Sequence, residues 1–275
     1  MTILKAACIQ TNTGPEIDAN LRAIEPMIRD ATRTGVQFIA LPENTDALVR
    51  GREKLVARAK HENDHPAIPF FKRMAKETGA WILGGSIAII VDDDKERFAN
   101  RSYLYNPQGE IAAWYDKIHM FDADVGANEK YRESANFRPG NRAVIAETPW
   151  TKIGLTICYD LRFAYLYRAL AQAGAGIITV PASFTVPTGK MHWHVLLRAR
   201  AIETGAFILA PAQCGTHDSG RITYGHSLII NPLGEILAEA GEVPGMIIAD
   251  LDMSVIDEAR HMLPSLQHDR EFTKP

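Results

Sequence analysis

Apolar positions follow two patterns along the chain: short blocks of strand character, and stretches with apolar side chains at every third or fourth residue. Residues 3–10 read as a buried strand, and 20–34 as a helix with Leu21, Ile24, Ile28 and Ala31 on one face. Asp18 is placed to cap that helix and Gly35 to end it. A second buried strand at 36–41 makes the opening a βαβ unit. Residues 50–61 are charged and read as an exposed helix or loop. The helical spacing returns over 67–78 with Ile68, Phe71 and Ala75, and Gly79 stops it. Residues 81–91 form a long β run whose Gly84-Gly85 pair lets backbone or ligand approach closely. Asp92-Asp93-Asp94 is an acidic hairpin tip. Strands 98–105 and 110–115 then pair across Asn106-Pro107-Gln108-Gly109, a type I turn composition.

The second part repeats this vocabulary. A strand carrying Ile153, Leu155 and Ile157 leads into a helix over 161–173, and Gly174 caps it. A strand at 176–180, a loop at 181–190 suited to shaping a pocket and a helix at 191–204 follow. Strands at 207–211, 224–231, 235–239 and 246–251 precede a last helix at 254–262. Asn231-Pro232-Leu233-Gly234-Glu235-Ile236 echoes Asn106-Pro107-Gln108-Gly109-Glu110-Ile111, each copy a turn between two strands after a βα-rich half. The repeat predicts two similar halves packed in a single α/β domain over 1–275. Residues 264–275 are a polar tail that either reaches across to a partner subunit or hangs free.

With 275 residues, 46% of them hydrophobic, the chain can bury a substantial core. A net charge of −3 with acids and bases intermixed argues against a nucleic-acid or membrane partner. Cys8, Cys158 and Cys214 lie far apart and are odd in number, which is no disulfide framework and fits a reducing cytosol. The start lacks a separate apolar core and cleavage site, and no apolar run approaches the ~18 residues of a membrane span. The expectation is a soluble cytoplasmic protein.

Chemistry concentrates where strands end, the edge at which α/β sheets gather ligands. Cys158 falls where a strand turns into a helix, so backbone N–H groups can lower its pKa or cradle an oxyanion; the alternative is a small buried hydrophobe. Glu43 follows the second strand, stiffened by Pro42, as an acid/base candidate or an ordinary loop acid. Lys117 stands at the boundary between a strand and a polar stretch over 120–142, and His119 just past it. A loop longer than ~15 residues usually has a task such as a lid or binding surface. Together Glu43, Lys117 and Cys158 suit acyl transfer: Glu43 as base, Lys117 with the Tyr159 N–H as oxyanion donors, Cys158 as nucleophile. Cys214 and His217 have a metal-like spacing but lack a second ligand pair, so no metal is expected.

Three blocks carry a resemblance to a known family: LPEN around Glu43, YDKIHMFD around Lys117 and GLTICYDLRF around Cys158. In that order, nearly end to end, the sequence resembles the nitrilase superfamily of carbon–nitrogen hydrolases. The resemblance implies a four-layer αββα sandwich, a Glu-Lys-Cys triad, no metal and no organic cofactor. It also implies a second glutamate after the lysine, matched by Glu133 in Tyr131-Arg132-Glu133-Ser134. The later half is most similar to the amidase branch that contains deaminated glutathione amidase and ω-amidase. That implies hydrolysis of a small carboxylated amide to release ammonia or an amine, in a homodimer or larger homo-oligomer joined through the helix after the cysteine. Arg162, Lys190 and His192 are the candidates for holding a substrate carboxylate. Nitrile or N-carbamoyl hydrolysis would use the same thioester chemistry, and a catalytically silent binding relative is the non-enzyme alternative. Where many relatives carry Arg-Phe-Pro-Glu-Leu, this chain has Arg162-Phe163-Ala164-Tyr165-Leu166.

Overall fold

The computed structural model describes residues 2–125, 129–273 and 275. The chain runs through β1 (Ile3–Gln10), α1 (Ile17–Arg33), β2 (Phe38–Ala40), α2 (Arg52–Arg58), α3 (Ala67–Thr78), β3 (Trp81–Leu83), β4 (Ile87–Val91), β5 (Asp94–Tyr105) and β6 (Ile111–Asp116). A small hairpin, β7 (Asp122–Asp124) and β8 (Lys130–Arg132), leads to β9 (Val144–Ala146) and β10 (Lys152–Leu155). Then come α4 (Ala164–Gln172), β11 (Ala175–Thr179), α5 (Val186–Thr204), β12 (Phe207–Ala210), β13 (Cys214–Thr216) and β14 (Ile222–Tyr224). The chain closes with β15 (Leu228–Ile230), β16 (Ile236–Glu239), β17 (Gly245–Asp252) and α6 (Ser254–Met262).

Two sheets form, ordered β17-β1-β2-β3-β5-β4 (with β6 also on β5) and β16-β15-β12-β11-β10-β9. Each has a parallel centre, β1-β2-β3 in one and β10-β11-β12 in the other. Each then turns back through an antiparallel hairpin, β5–β6 or β15–β16. The two echoing turns are built alike. Asn106 Oδ1 accepts from the N–H of Gln108 and Glu110 at 3.0 and 2.9 Å, and Asn231 Oδ1 accepts from Leu233 and Glu235 at the same distances.

Alternation along the strands assigns the layers. Leu4, Ala6, Cys8, Phe38 and Ala40 share a core with Leu155, Ile177 and Trp193 of the second half. Their neighbours Ala7, Ile9 and Ile39 pack instead with Leu21, Ile28, Phe71 and Met74 of α1 and α3. Leu166 and Leu170 of α4 and Leu197 of α5 join the first of these cores from the far side of the second sheet. The result is helices, sheet, sheet, helices. Burying one such aliphatic side chain contributes about 1.5–3 kcal/mol, and a one-residue slip would exchange the two faces of a strand, so register is strongly fixed.

Several elements differ from the sequence expectation. Helix α1 starts at Ile17, so Asp18 lies in its first turn and favours the helix N-terminus by charge, not as the cap. Residues 84–86 break the 81–91 run into β3 and β4. Gly85 has φ +68°, and a Cβ there would meet the Pro42 carbonyl oxygen at 2.0 Å, so this glycine lets the loop carrying Glu43 sit against the sheet. The Pro42 oxygen accepts from Ser86 N–H at 3.3 Å. Residues 120–142 hold a hairpin and a short 3-10 turn, Glu133–Ala135. Helix α5 begins at Val186, not 191. Thr185 Oγ1 accepts from Thr188 N–H and Pro187 stands in the first turn, both helix-start signals. The tail lies against α4: Arg168 Nε donates to Asp269 at 2.9 Å and Gln172 Nε2 to the same carboxylate at 2.6 Å. Among the described residues no helix is long and apolar enough to cross a membrane.

Candidate active site

Strand β2 ends at Ala40, and the Leu41-Pro42 step delivers Glu43 to the sheet edge, followed by Asn44 in a left-handed conformation (φ +56°). Strand β6 ends at Asp116 and delivers Lys117. Strand β10 ends at Leu155, and Cys158 opens a five-residue 3-10 turn (Cys158–Arg162) before α4 begins at Ala164. The expected direct passage from strand into a helix starting at 161 is therefore replaced by that tighter turn. Cys158 itself has φ +47°, which costs a non-glycine residue roughly 1–3 kcal/mol.

These three strand ends meet, together with Glu133 from the β8 side, at one cavity of about 410 Å³ lined by Glu43, Lys117, Glu133 and Cys158. Lys117 is 2% exposed and stands between two carboxylates. Its Nζ donates to Glu43 Oε1 at 2.8 Å and to both oxygens of Glu133 at 2.9 Å. Asn100 Nδ2 donates to Glu43 Oε1 at 2.9 Å and reaches Glu133 at 3.4 Å. The other Glu43 oxygen accepts from Ser183 N–H at 3.0 Å, and Glu133 Oε2 from Phe121 N–H at 2.6 Å. Every carboxylate oxygen near the ammonium thus has a fixed partner.

Electrostatics orders the protons. Burial opposes ionisation of Glu43, but the Lys117 ammonium, with help from Arg221 and Cys158, holds its carboxyl below the ordinary 4.5. Burial likewise opposes charge on Lys117, and the carboxylates of Glu133 and Glu43 overcome it, keeping the amine protonated. Burial pushes the Cys158 thiol up and the Glu43 carboxylate pushes it further, against the pull of Lys117 and the Ser183 N–H. At rest the site holds a thiol, an ammonium and the Glu43 carboxylate, a base beside the sulfur. It can therefore remove a thiol proton and, through the ammonium, stabilise negative charge on a bound carbonyl.

Two supports were not visible in the sequence. Asp160, fully buried, accepts from Ile157 N–H at 2.9 Å, Tyr115 Oη at 2.7 Å and His119 N–H at 3.1 Å. It ties the Cys158 turn to the strand end that carries Lys117. Gln213 Nε2 donates to the Glu43 carbonyl at 3.0 Å and to Thr13 Oγ1 at 2.7 Å, bracing the Glu43 loop from the second half. Apart from the local Asp160–Ile157 contact, these bonds link residues distant in sequence, so no local pattern announces them.

Arg162, Lys190 and His192 are not among the residues lining the cavity. The Arg162 guanidinium faces His192 Nδ1 at 3.4 Å and packs over the Tyr159 and Phe184 rings. Lys190 is exposed on α5, because that helix begins earlier than the spacing suggested. The structure thus does not bring these three to the cavity beside Cys158. The Tyr159 peptide follows Cys158 directly, while its ring packs against Phe121 and Phe163. His119 turns away from the cavity and stacks on Phe163 with ring centroids 3.5 Å apart. Cys214 and His217 do not form a ligand pair, since His217 uses one ring nitrogen on the Thr13 carbonyl (2.9 Å) and the other on Thr223 Oγ1 (2.7 Å).

Comparison with known proteins points to one family. The family model described as carbon-nitrogen hydrolase matches residues 5–261. A deaminated glutathione amidase of Synechocystis is 40% identical over 270 residues, covering 96% of this chain and 97% of its own. One of Yersinia enterocolitica is 38% identical over 265 residues, covering 96% and 92%. The crystal structure of Saccharomyces cerevisiae Nit3, a member of the nitrilase superfamily, superposes with a TM-score of 0.88 at 28% identity, covering 98% of this chain and 97% of that one. With a family match over nearly its whole length and the matching sandwich, the chain belongs to the carbon–nitrogen hydrolase family.

Proposed function

We propose that this protein hydrolyses the amide bond of a small carboxylated amide through a thioester on Cys158, in the manner of a deaminated glutathione amidase or an ω-amidase. The observation that carries the reading is the buried Lys117 ammonium held between Glu43 and Glu133 beside the thiol. Glu43 takes the Cys158 proton as sulfur attacks the carbonyl carbon. Lys117 Nζ and the Tyr159 N–H receive the charge on the carbonyl oxygen. The tetrahedral intermediate collapses, Glu43 returns the proton to the leaving nitrogen, and ammonia or an amine departs. Glu43 then deprotonates water, which attacks the thioester; the acid leaves and the thiol is restored. Glu133 positions Lys117. The resemblance to amidases also supports a cytoplasmic homodimer or larger homo-oligomer as the working form.

Ammonia release from a panel of ω-amides, nitriles and N-carbamoyl amino acids tests the reading. Turnover confined to nitriles or carbamoyl compounds would replace it. The same assay gives a pH signature. Glu43 must be ionised to act, and its pKa lies below 4.5, so kcat/KM falls only as pH drops beneath about 4.5. Because the thiol pKa lies above the ordinary 9.0, no ionisation of sulfur shapes the profile between about pH 5 and 9. A rate that climbs through a pKa near 7 would show that a preformed thiolate is the attacking species. The sign for stability is the same: the contribution of Glu43 is present above its unfolded pKa and is lost as pH falls through the folded one.

A further inference from the structure

The wall of the cavity contributed by the β13–β14 connection has its own unmet chemistry. Arg221 lines the cavity, its Nη2 donates to the Ser183 carbonyl, and its guanidinium packs over the Tyr131 ring at 5.4 Å. Its Nε is buried and has no protein partner among the described residues. Two hydroxyls on the same cavity, Ser183 Oγ and Ser219 Oγ, are also buried without one. Other cations on this cavity differ. Arg132 is paired with Asp124 at 2.9 Å and lies exposed, and Arg50 and Lys130 are exposed as well. A guanidinium edge with a free N–H, next to two hydroxyls inside a protein, is a recognition site short of its acceptor. A carboxylate, anionic and planar, is the acceptor that best matches a guanidinium edge.

We propose that Arg221, with Ser219 and Ser183, forms the anchor for the substrate's free carboxylate while the amide of the same ligand meets Cys158. This rests on the reading of Cys158 as the acyl end of the cavity. It assigns substrate selection to the β13–β14 connection and not to the helix carrying Lys190 and His192. Arg221 also acts on the Glu43 charge, so the anchor and the base are electrostatically joined. A general fall in rate on losing Arg221 would therefore be ambiguous, and discrimination is the proper readout.

The test compares glutaramic acid, a monoamide with a free carboxylate, with glutaramide, its neutral isostere, in the wild type, Arg221→Gln and Arg221→Lys. The ratio of kcat/KM for the charged over the neutral amide is expected to drop about 100-fold in Arg221→Gln, carried by KM. Arg221→Lys, which keeps the charge and loses the fork, is expected to recover part of it. Calorimetric binding of glutarate, which needs no turnover, is expected to weaken in parallel. An equal fall for both amides, or unchanged glutarate binding in Arg221→Gln with a native melting curve, would overturn the anchor. If no amide is turned over but glutarate binding still depends on Arg221, the proposed reaction fails and the anchor stands.

Discussion

Replacing Cys158 with Ala is expected to lower amide turnover by at least about 10⁴-fold while leaving the protein folded. The size follows from chemistry: without sulfur there is no thioester, and what remains is an ammonium and a base beside a bound amide, which accelerate attack by water only weakly. The fold survives because Asp160 fixes the turn through its bonds to Ile157, Tyr115 and His119, none of which involves the thiol. Intact mass after brief exposure to an amide checks the same point directly, since the wild type should carry an acyl group and the variant none. Near-normal turnover in Cys158→Ala would remove the nucleophile assignment.

Lys117→Ala is the second large effect, and it touches activity and stability together. Turnover should fall by on the order of 10²–10³-fold or more from the missing oxyanion donor, appearing in kcat. Glu43 and Glu133, both bonded to Nζ and both reached by Asn100, would then face each other without their cation. Removing one partner of a buried ion pair costs about 3–5 kcal/mol, so the melting temperature should drop as well. Adding Glu133→Gln to Lys117→Ala relieves the repulsion and should recover much of the stability while activity stays lost. If the double variant melts no higher than the single one, the two carboxylates are not held together by the lysine; a change confined to KM would argue against the oxyanion role.

Much of this was readable from the chain because the information is local. Helix α3 over 67–78 and the last helix over 254–262 match residue for residue, since their signals are local, Gly79 directly following the first of them. Glu43, Lys117 and Cys158 stood out because each directly follows strand character, which a short window reveals. The motif blocks supplied Glu133, which spacing alone would have left as a loop charge. Arg221 was missed for the opposite reason: its loop has no periodicity, and its meaning comes from the Ser183 carbonyl and Tyr131 ring that only the fold brings beside it. Arg162, Lys190 and His192 do not line the cavity; of these, only Lys190 is affected by the Thr185 cap, which starts α5 earlier and puts that residue on the helix.

The backbone at Cys158 carries one more consequence. A residue held at φ +47° would suit glycine better than any side chain, so at this position the needs of the reaction and the needs of the polypeptide point in opposite directions. Cys158→Gly should melt at a higher temperature than Cys158→Ala while being equally inert. On the proposed mechanism the hydrolase thus surrenders robustness at the place where it must keep a sulfur atom, and directed evolution for heat resistance that drifts toward glycine there would be selecting a dead enzyme.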